Sequence, residues 1–222
     1  NISSLAITKL EGGGMHLSTT LELMDDIVEE ALRHVNPAVR EHDLKVVACD
    51  EPALVNVDAR LMVQLVVNLV NNAITYTPAG SHIVISISVD DGRVACSVAD
   101  DGPGIAPEDR ERIFESFYTA NHGLADSHRS VGLGLSLCRS IALAHIVAAL
   151  EAHGLRHMAV ETAHAAIAAA SSQTPSIVLL DLGLPDLDGV KVVESVRAWS
   201  GMPIIVVSAR SEDADKIRAL DA

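Results

Sequence analysis

Aromatic and basic side chains are both scarce in this chain of 222 residues. Phe, Tyr and Trp together make up only 2% of it, so any hydrophobic core must be built from aliphatic side chains. Lys and Arg total 16 against 30 Asp and Glu, which gives a formal net charge of −14. Because proteins that bind nucleic acid neutralise phosphates with clustered basic residues, we expect no direct nucleic-acid partner.

Cysteines and long apolar runs are also few. The three cysteines, Cys49, Cys96 and Cys138, are far apart and odd in number, which favours free thiols in a reducing compartment. The sequence shows no signal peptide, no apolar run of about 18 residues and no clustered Cys/His motif for a transition metal. We therefore expect a cytoplasmic protein.

The first two thirds of the chain alternate helical and strand patterns. Helices are predicted from apolar residues at helical spacing, or from a proline and acids at the start of a segment, over 21–34, 59–76 and 106–117. Short strands are predicted over 45–48 and 53–58. The Asp91-Gly92 pair lies between two strand-like runs and predicts a β-hairpin. This part of the sequence predicts an α/β sandwich.

The pattern changes near residue 145, where we place a domain boundary. Beyond it, helices are predicted over 147–154, 163–172 and 190–199, and strands over 156–161, 176–181 and 203–209. The last two strands are almost continuously apolar, which is typical of a parallel sheet covered by helices on both faces. The fold class predicted for the whole chain is therefore α/β.

Two asparagines interrupt the apolar stripe of the predicted helix 59–76. Asn68 and Asn72 are four residues apart, so both amides project from one face of the helix. Amide oxygens suit the oxygen-rich shell of Mg²⁺, the cation that usually accompanies a nucleoside triphosphate. The competing interpretation is a plain polar helix face.

Two glycine motifs follow the asparagines. Asp100 ends a predicted strand and precedes a turn with Gly102 and Gly104, where a carboxylate can accept a hydrogen bond from the amine of adenine. Gly132 and Gly134 precede a helical run whose free backbone N–H groups favour phosphate. Each motif alone is equally consistent with an ordinary turn, but their order and spacing together predict an ATP site.

With these motifs in place, residues 18–145 resemble the catalytic ATP-binding domain of sensor histidine kinases, within the gyrase, Hsp90 and MutL ATPase superfamily. The asparagines match the N box, Asp100 with its glycines the G1 box, and Gly132 and Gly134 the G2 box. The resemblance implies ATP and Mg²⁺ as ligands, with Asn72 on the metal and a mobile lid over 118–131. It further implies nucleotide contacts from seven other residues: Tyr76, Ile105, Phe114, Phe117, Leu133, Leu135 and Asn68.

One position separates kinases from hydrolases in this superfamily. The hydrolases carry a glutamate one turn before the magnesium asparagine, and this chain has Asn68 there. The resemblance therefore implies phosphoryl transfer to a histidine, with Asn68 and Asn72 as the catalytic pair. An ATPase of the Hsp90 type is a less favoured alternative to the histidine kinase. The chain departs from the kinase pattern at Thr75, where the family often has Lys or Arg.

The second part of the chain resembles a response-regulator receiver domain, which has a flavodoxin-like fold. The match rests on SIVLLDLGLPDLDG at 176–189 and implies that Asp181 is the phosphoacceptor, Gly183 a carbonyl ligand of Mg²⁺ and Ser208 the switch hydroxyl. In sequence, the first part is most similar to the sensor kinase of the osmosensitive potassium-uptake system, and the second part is similar to the regulator of the same system. The histidine that accepts phosphate from ATP in these kinases is expected to be missing from this chain. It is normally followed by an acid, and the one such pair here, His42-Asp43, lies in a polar loop and is interpreted as a surface histidine.

Both domains are expected to be incomplete. The kinase part lacks its closing hairpin and the receiver lacks its first and fifth strands, as though about 60 residues were missing at the junction of 145 and 146. A chimera, a gene fusion and omitted residues are all compatible with this, and a literal fusion predicts one continuous helix over 135–153.

The sequence thus predicts three segments: 1–17 as the end of a dimerisation helix with a linker, 18–145 as the kinase domain, and 146–222 as a partial receiver. The favoured function is two-component signalling by an ATP-dependent histidine kinase. Its implied partners are a histidine-containing dimerisation domain and a cognate regulator or kinase, and its parent kinase is implied to be associated with a membrane. The alternative is a nucleotide-binding or scaffolding chimera without turnover.

Overall fold

The chain divides into two compact units, each with its own core. The computed structural model describes residues 3–7, 17–106, 109, 112–115, 117–118, 132–181, 184 and 186–206. One unit comprises His16–Ile141, and the other combines Asn1–Met15 with Ala142–Ala222.

The unit His16–Ile141 packs two helices on a small sheet. Its elements in chain order are β2 (Thr20–Leu23), α1 (Met24–His34), β3 (Asp43–Val47), β4 (Leu54–Val57), α2 (Ala59–Tyr76), β5 (His82–Asp90) and β6 (Arg93–Asp100). Strands β3, β5 and β6 form one sheet, in which β3 runs parallel and β6 antiparallel to β5. Strands β2 and β4 form a separate antiparallel pair.

The core of this unit follows from sequence periodicity. Strand β5 buries every second residue, namely Ile83, Ile85 and Ile87, against apolar stripes on α1 and α2. Val66 and Val70, one turn apart on α2, are both fully buried. The predicted α/β sandwich is confirmed, and its core is aliphatic.

Two predicted helices of this unit differ from the structure. Residues 21–23 belong to β2, because they pair with β4 through the register Leu21↔Asn56 to Leu23↔Leu54. In place of a helix over 106–117, the described residues of that segment show one short 3-10 turn, Arg112–Phe114. The prediction of a full helix there was wrong for these residues.

Helix α3 (Gly134–Ala152) crosses the boundary between the two units. The prediction of one continuous helix over 135–153 is confirmed to within one residue at each end. This helix is also long and apolar enough to span a membrane by length and composition, a test that core helices of soluble proteins also pass.

The other unit is built on a parallel sheet of four strands in the order β7-β1-β8-β9. Its elements are β1 (Ser3–Ile7), β7 (Arg156–Val160), α4 (Ala163–Gln173), β8 (Ile177–Leu180), α5 (Gly189–Arg197) and β9 (Ile204–Val206). All three strand pairings are parallel, as predicted for a receiver-like fold.

The core of this second unit lies between its two complete helices and β8. Four alanines of α4 pack with Val178 and Leu180 of β8 and with the valines of α5. The small alanine side chains let α4 approach its neighbours closely. Residues 3–7, which we expected at the end of a dimerisation helix, form a strand here because neighbouring strands hydrogen-bond to them on both sides.

Candidate functional site

Helix α2 carries the two predicted amides. Asp58 caps its first turn, its Oδ1 accepting the Leu61 N–H at 3.2 Å, and the predicted bounds 59–76 are confirmed. Since Val66 and Val70 face the core, Asn68 and Asn72 lie beside the buried stripe and are half-buried. They are therefore positioned by a rigid, well-packed helix.

Gly134, the first residue of α3, lies against this pair of amides. A Cβ atom at Gly134 would stand 3.6 Å from Oδ1 of Asn72 and 4.0 Å from Cβ of Asn68. The structure thus brings together the N box and the second glycine of the G2 box, which are separated by more than 60 residues in the sequence. The N-terminal end of α3, with its free N–H groups, faces the α2 asparagines.

Asn68 has an unused polar group at this place. Its Nδ2 is buried and, among the described residues, has no oxygen or nitrogen partner and only a weak interaction with the Cys138 thiol, whereas Gln64 Nε2 donates to its Oδ1 at 3.4 Å. A buried amide with so weak a partner is costly and in a native site points to a ligand or water that completes it. The residues present therefore fit a triphosphate with its cation.

Cys138, one turn further along α3, fixes that helix against α2. Its Sγ donates to the Leu65 carbonyl at 3.6 Å. Burial raises the pKa of the Cys138 thiol to about 11, although a hydrogen bond with Asn68 opposes this shift. The thiol is thus neutral at physiological pH and acts as a packing group. Cys49, Cys96 and Cys138 are all free, as predicted.

The G1 motif forms a tight turn at the end of β6. Gly102 N–H donates to Asp100 Oδ1 at 3.0 Å, and a Cβ atom at Gly102 would lie only 2.8 Å from that oxygen and 2.7 Å from Cγ2 of Thr77. Gly104 has a positive φ of 72°, a conformation that favours glycine. Asp100 keeps a second carboxylate oxygen that can accept a donor from a bound base.

A hydrogen-bonded histidine–aspartate pair next to this turn was not predicted from the sequence. His82 Nδ1 lies 2.8 Å from Asp101 Oδ2, and the His82 N–H donates to Asp101 Oδ1 at 2.9 Å. The hydrogen bond with Asp101 raises the pKa of His82, and the same bond lowers the pKa of Asp101. This pair joins the start of β5 to the end of β6 and so positions the G1 turn. No local pattern could have indicated it, because the two residues are 19 apart.

The F box and the first G2 glycine meet in space. The Phe117 N–H donates to the Gly132 carbonyl at 2.9 Å, and a Cβ atom at Gly132 would lie 2.6 Å from the Tyr118 carbonyl oxygen. Phe117 is 72% exposed and has a positive φ of 68°, whereas Phe114 is half-buried. The residues on either side of the predicted lid segment, Phe117 and Gly132, are therefore in contact, and 119–131 of the lid lie outside the described residues.

The remaining predicted contacts are mostly apolar surface. Tyr76, Ile105 and Leu133 are exposed, and Leu135 is half-buried. Exposed apolar side chains gain from being covered by the flat face of a base. They are consistent with a nucleotide site.

The predicted receiver residues lie in the other unit. Asp181 directly follows β8, at the carboxyl edge of the parallel sheet. Gly183 and Ser208 lie outside the described residues. Asp186, which the sequence did not single out, accepts the backbone N–H groups of Ala163 and His164 at 2.8 and 3.1 Å. It thereby ties the loop after β8 to the start of α4.

The described residues do not complete a magnesium site around Asp181. Among them, no three His, Cys, Asp or Glu side chains lie close enough together to hold a metal ion. The neighbouring strand β1 ends at Ile7, and the sequence continues with Thr8 and Lys9 in place of acids. The residues that the structure describes around Asp181 therefore do not fit the receiver's cation.

Comparison with known proteins agrees with this geometry. Residues 57–154 match the family described as histidine kinase-, DNA gyrase B- and HSP90-like ATPase, and residues 139–222 match the response regulator receiver domain. One part of the chain is therefore similar to the ATPase domains of histidine kinases, and the other part is similar to receiver domains. The two matches overlap over 139–154, within α3, and the expected boundary at 145 falls inside that overlap.

Three of the similar proteins each match one part of the chain. The sensor protein KdpD of Clostridium acetobutylicum is 33% identical over 141 residues, 64% of this chain and 16% of the relative. The KDP operon transcriptional regulatory protein KdpE of Escherichia coli K12 is 49% identical over 74 residues, 33% of each. The mycobacterial sensor histidine kinase MprB has a solved structure that matches with a TM-score of 0.51 and 26% identity, covering 57% of this chain and 81% of that one. The chain thus spans a third or less of these two curated relatives.

Proposed function

We propose that the ATPase domain binds ATP with Mg²⁺ and donates the γ-phosphoryl group to a histidine on a separate dimerisation domain. The observation that carries this proposal is the approach of Gly134 to Asn72 and Asn68. It brings a helix N-terminus and two amides to one point, where phosphates and a hard cation are both favoured. Mg²⁺, when bound, neutralises charge that develops on the phosphates.

The chain's own residues would each have a positioning role. Asn72 presents an amide oxygen to the cation, and the N–H groups at the start of α3 hold phosphate oxygens. Asp100, fixed by its bond to Gly102, accepts the amine of the base. Phosphoryl transfer depends mainly on such positioning and charge neutralisation. With an amide at Asn68 in place of a carboxylate, α2 supplies no general base for water at that position.

Nucleotide binding is tested by titrating a fluorescent ATP analogue with and without Mg²⁺. We expect binding that depends on Mg²⁺ and that falls about tenfold or more in Asn72→Ala, because a ligand to a charged group is lost. Asn71→Ala is the matched control, since Asn71 accepts the Asn36 N–H at 2.8 Å, away from Gly134. Equal losses in the two variants would contradict the assigned role of Asn72.

Phosphoryl transfer is tested with γ-labelled ATP and a separately supplied histidine-containing dimerisation domain. We expect label on that domain, dependent on Asn72, and no phosphate release from the chain alone. Binding without transfer would instead support the nucleotide-binding or scaffolding alternative. Phosphate release without an acceptor would support an Hsp90-type ATPase.

We further propose that both domains derive from one signalling system of the Kdp type, with a cytoplasmic location, a membrane-associated parent kinase and potassium supply as the sensed variable. Its support is that the two halves of the chain independently match a KdpD and a KdpE. In a complete system, Asp181 would accept phosphate from the histidine. Transfer from a phosphorylated KdpD dimerisation domain, compared with that from an unrelated kinase, tests this assignment.

A further inference from the structure

The second strand of the receiver sheet comes from the opposite end of the chain. In the order β7-β1-β8-β9, strand β1 (Ser3–Ile7) lies between β7 and β8, although about 150 residues separate it from β7 in sequence. It belongs to the same compact unit as those strands. The sheet is therefore assembled from two distant segments.

Strand β1 pairs along its length on both sides. Against β7 the register runs from Ser3↔Arg156 to Ile7↔Val160, and against β8 it runs from Ser4↔Ile177 to Ile7↔Leu180. Both pairings are parallel. Within the part of the chain that the structure describes, β7 pairs with no other strand, and β8 otherwise pairs only with β9. Removing β1 would leave β7 unpaired and split the sheet.

We propose that residues 3–7 act as a complementing strand that fills a slot between β7 and β8, and that the receiver unit requires this strand to fold. The occupant is this chain's own N-terminal segment. The receiver sequence itself enters at a helix, so it does not provide a strand ahead of β7 for this position. Backbone hydrogen bonds supply the affinity, as in other cases of strand addition to a sheet.

The pairing of β1 on both sides excludes residues 3–7 from a helix as long as the receiver sheet is complete. A strand and an α-helix use the same backbone N–H groups for different partners, so residues 3–7 cannot be in β1 and in a dimerisation helix at once. If the segment is drawn into a helix, the slot between β7 and β8 becomes empty. The fold of the receiver unit is then linked to the state of the N-terminus.

The test compares Ala6→Pro with Ala6→Ser in the full chain. Proline removes a backbone N–H and is not tolerated in the interior of a sheet, whereas serine keeps the N–H and nearly the size of alanine. Hydrogen exchange measured by mass spectrometry follows the amides of β7 and β8. We expect exchange there to rise by about tenfold or more in Ala6→Pro, with Ala6→Ser close to wild type.

Two further measurements separate the possible outcomes. Binding of the ATP analogue reports on the unit His16–Ile141 alone. The proposal of a complementing strand can therefore fail while ATP binding holds, and ATP binding can fail while the strand proposal holds. A synthetic peptide of residues 1–10, added to Ala6→Pro, should restore protection of β7. Unchanged protection in Ala6→Pro would overturn the proposal. Protection that exists only in a sedimenting dimer would overturn the assignment to the same chain and indicate strand exchange between copies.

Discussion

Gly102 is a residue of the proposed ATP site at which one added methyl group would collide directly with a side chain assigned to the nucleotide. A Cβ atom there would meet Asp100 Oδ1 at 2.8 Å and Thr77 Cγ2 at 2.7 Å. Thr77 is held in place, since it is buried and donates through Oγ1 to the Ala73 carbonyl at 2.7 Å, whereas the Asp100 side chain is exposed and can move. The added atom must therefore displace the Asp100 carboxylate that is assigned to the base.

We therefore predict that Gly102→Ala weakens binding of the ATP analogue by about tenfold or more, the equivalent of one lost charge-assisted hydrogen bond. The matched control is Gly92→Ala, where φ is +72° and nothing lies within 4 Å of the added atom. That substitution strains the hairpin turn by about 1 kcal/mol and leaves the site unchanged. Normal binding in Gly102→Ala would contradict the role given to Asp100.

Among single residues, those that belong to a local sequence motif could be singled out before the structure was known. Asn68, Asn72 and Asp100 were identified because their spacing on a helix or at a strand end has a chemical meaning. The His82–Asp101 pair was not identified, because these two residues come together only when β5 and β6 pair. The spatial approach of Gly134 to Asn72 likewise required the fold, although the order of the motifs predicted a shared site.

At the scale of elements, helix α4 depends on a carboxylate from another part of the chain. Asp186 accepts two N–H groups from the first turn of α4 and lies 2.6 Å from His164 Nδ1. Burial would raise the pKa of Asp186, but the hydrogen bonds from Ala163 and His164 lower it to about 2. A negative charge at a helix N-terminus is stabilising, and this one is fixed by several donors.

We predict that Asp186 makes the receiver unit sensitive to acid. Its pKa in the folded state is below the ordinary value of 3.8, so the stabilisation is present above about pH 4 and is lost as the pH falls toward 2. Asp186→Asn should lower the free energy of unfolding by about 1 kcal/mol at pH 7 and flatten its fall in acid. The measurement is denaturant unfolding followed by the fluorescence of Trp199, the sole tryptophan. If the free energy of unfolding changed with pH in the same way in both proteins, the role assigned to Asp186 would be refuted.

Elements with strong local signals were predicted well, and those decided by distant pairing were not. Helix α2 has a capping Asp58 and a long apolar stripe, and the β5–β6 hairpin has Asp91 and Gly92 at positive φ. Residues 21–23, by contrast, share helical spacing with α1 but pair with β4. The short run at 3–7 has no periodicity that separates helix from strand, so its place in the sheet depends on the slot between β7 and β8.

At the scale of the whole molecule, the segments similar to two different domain families share one helix. The ATPase and receiver matches overlap within α3, which also contains the boundary between the compact units. The predicted fusion of two helices at 145 and 146 is thus a single continuous helix. Each unit nevertheless has a separate hydrophobic core, one centred on β5 and the other on β8.

Separate cores predict separate unfolding transitions. The two tyrosines belong to His16–Ile141, and Trp199 belongs to the other unit, so each unit has its own probe. A ligand that binds only the folded ATPase domain stabilises it by about 2.7 kcal/mol at a hundred times its Kd. ATP with Mg²⁺ should therefore raise the unfolding midpoint reported by tyrosine fluorescence and leave the midpoint reported by tryptophan unchanged.

The Ala6→Pro variant should have the converse effect, because it should lower only the midpoint reported by tryptophan. Should both probes move together in either experiment, the continuous helix α3 would couple the two units into one cooperative structure.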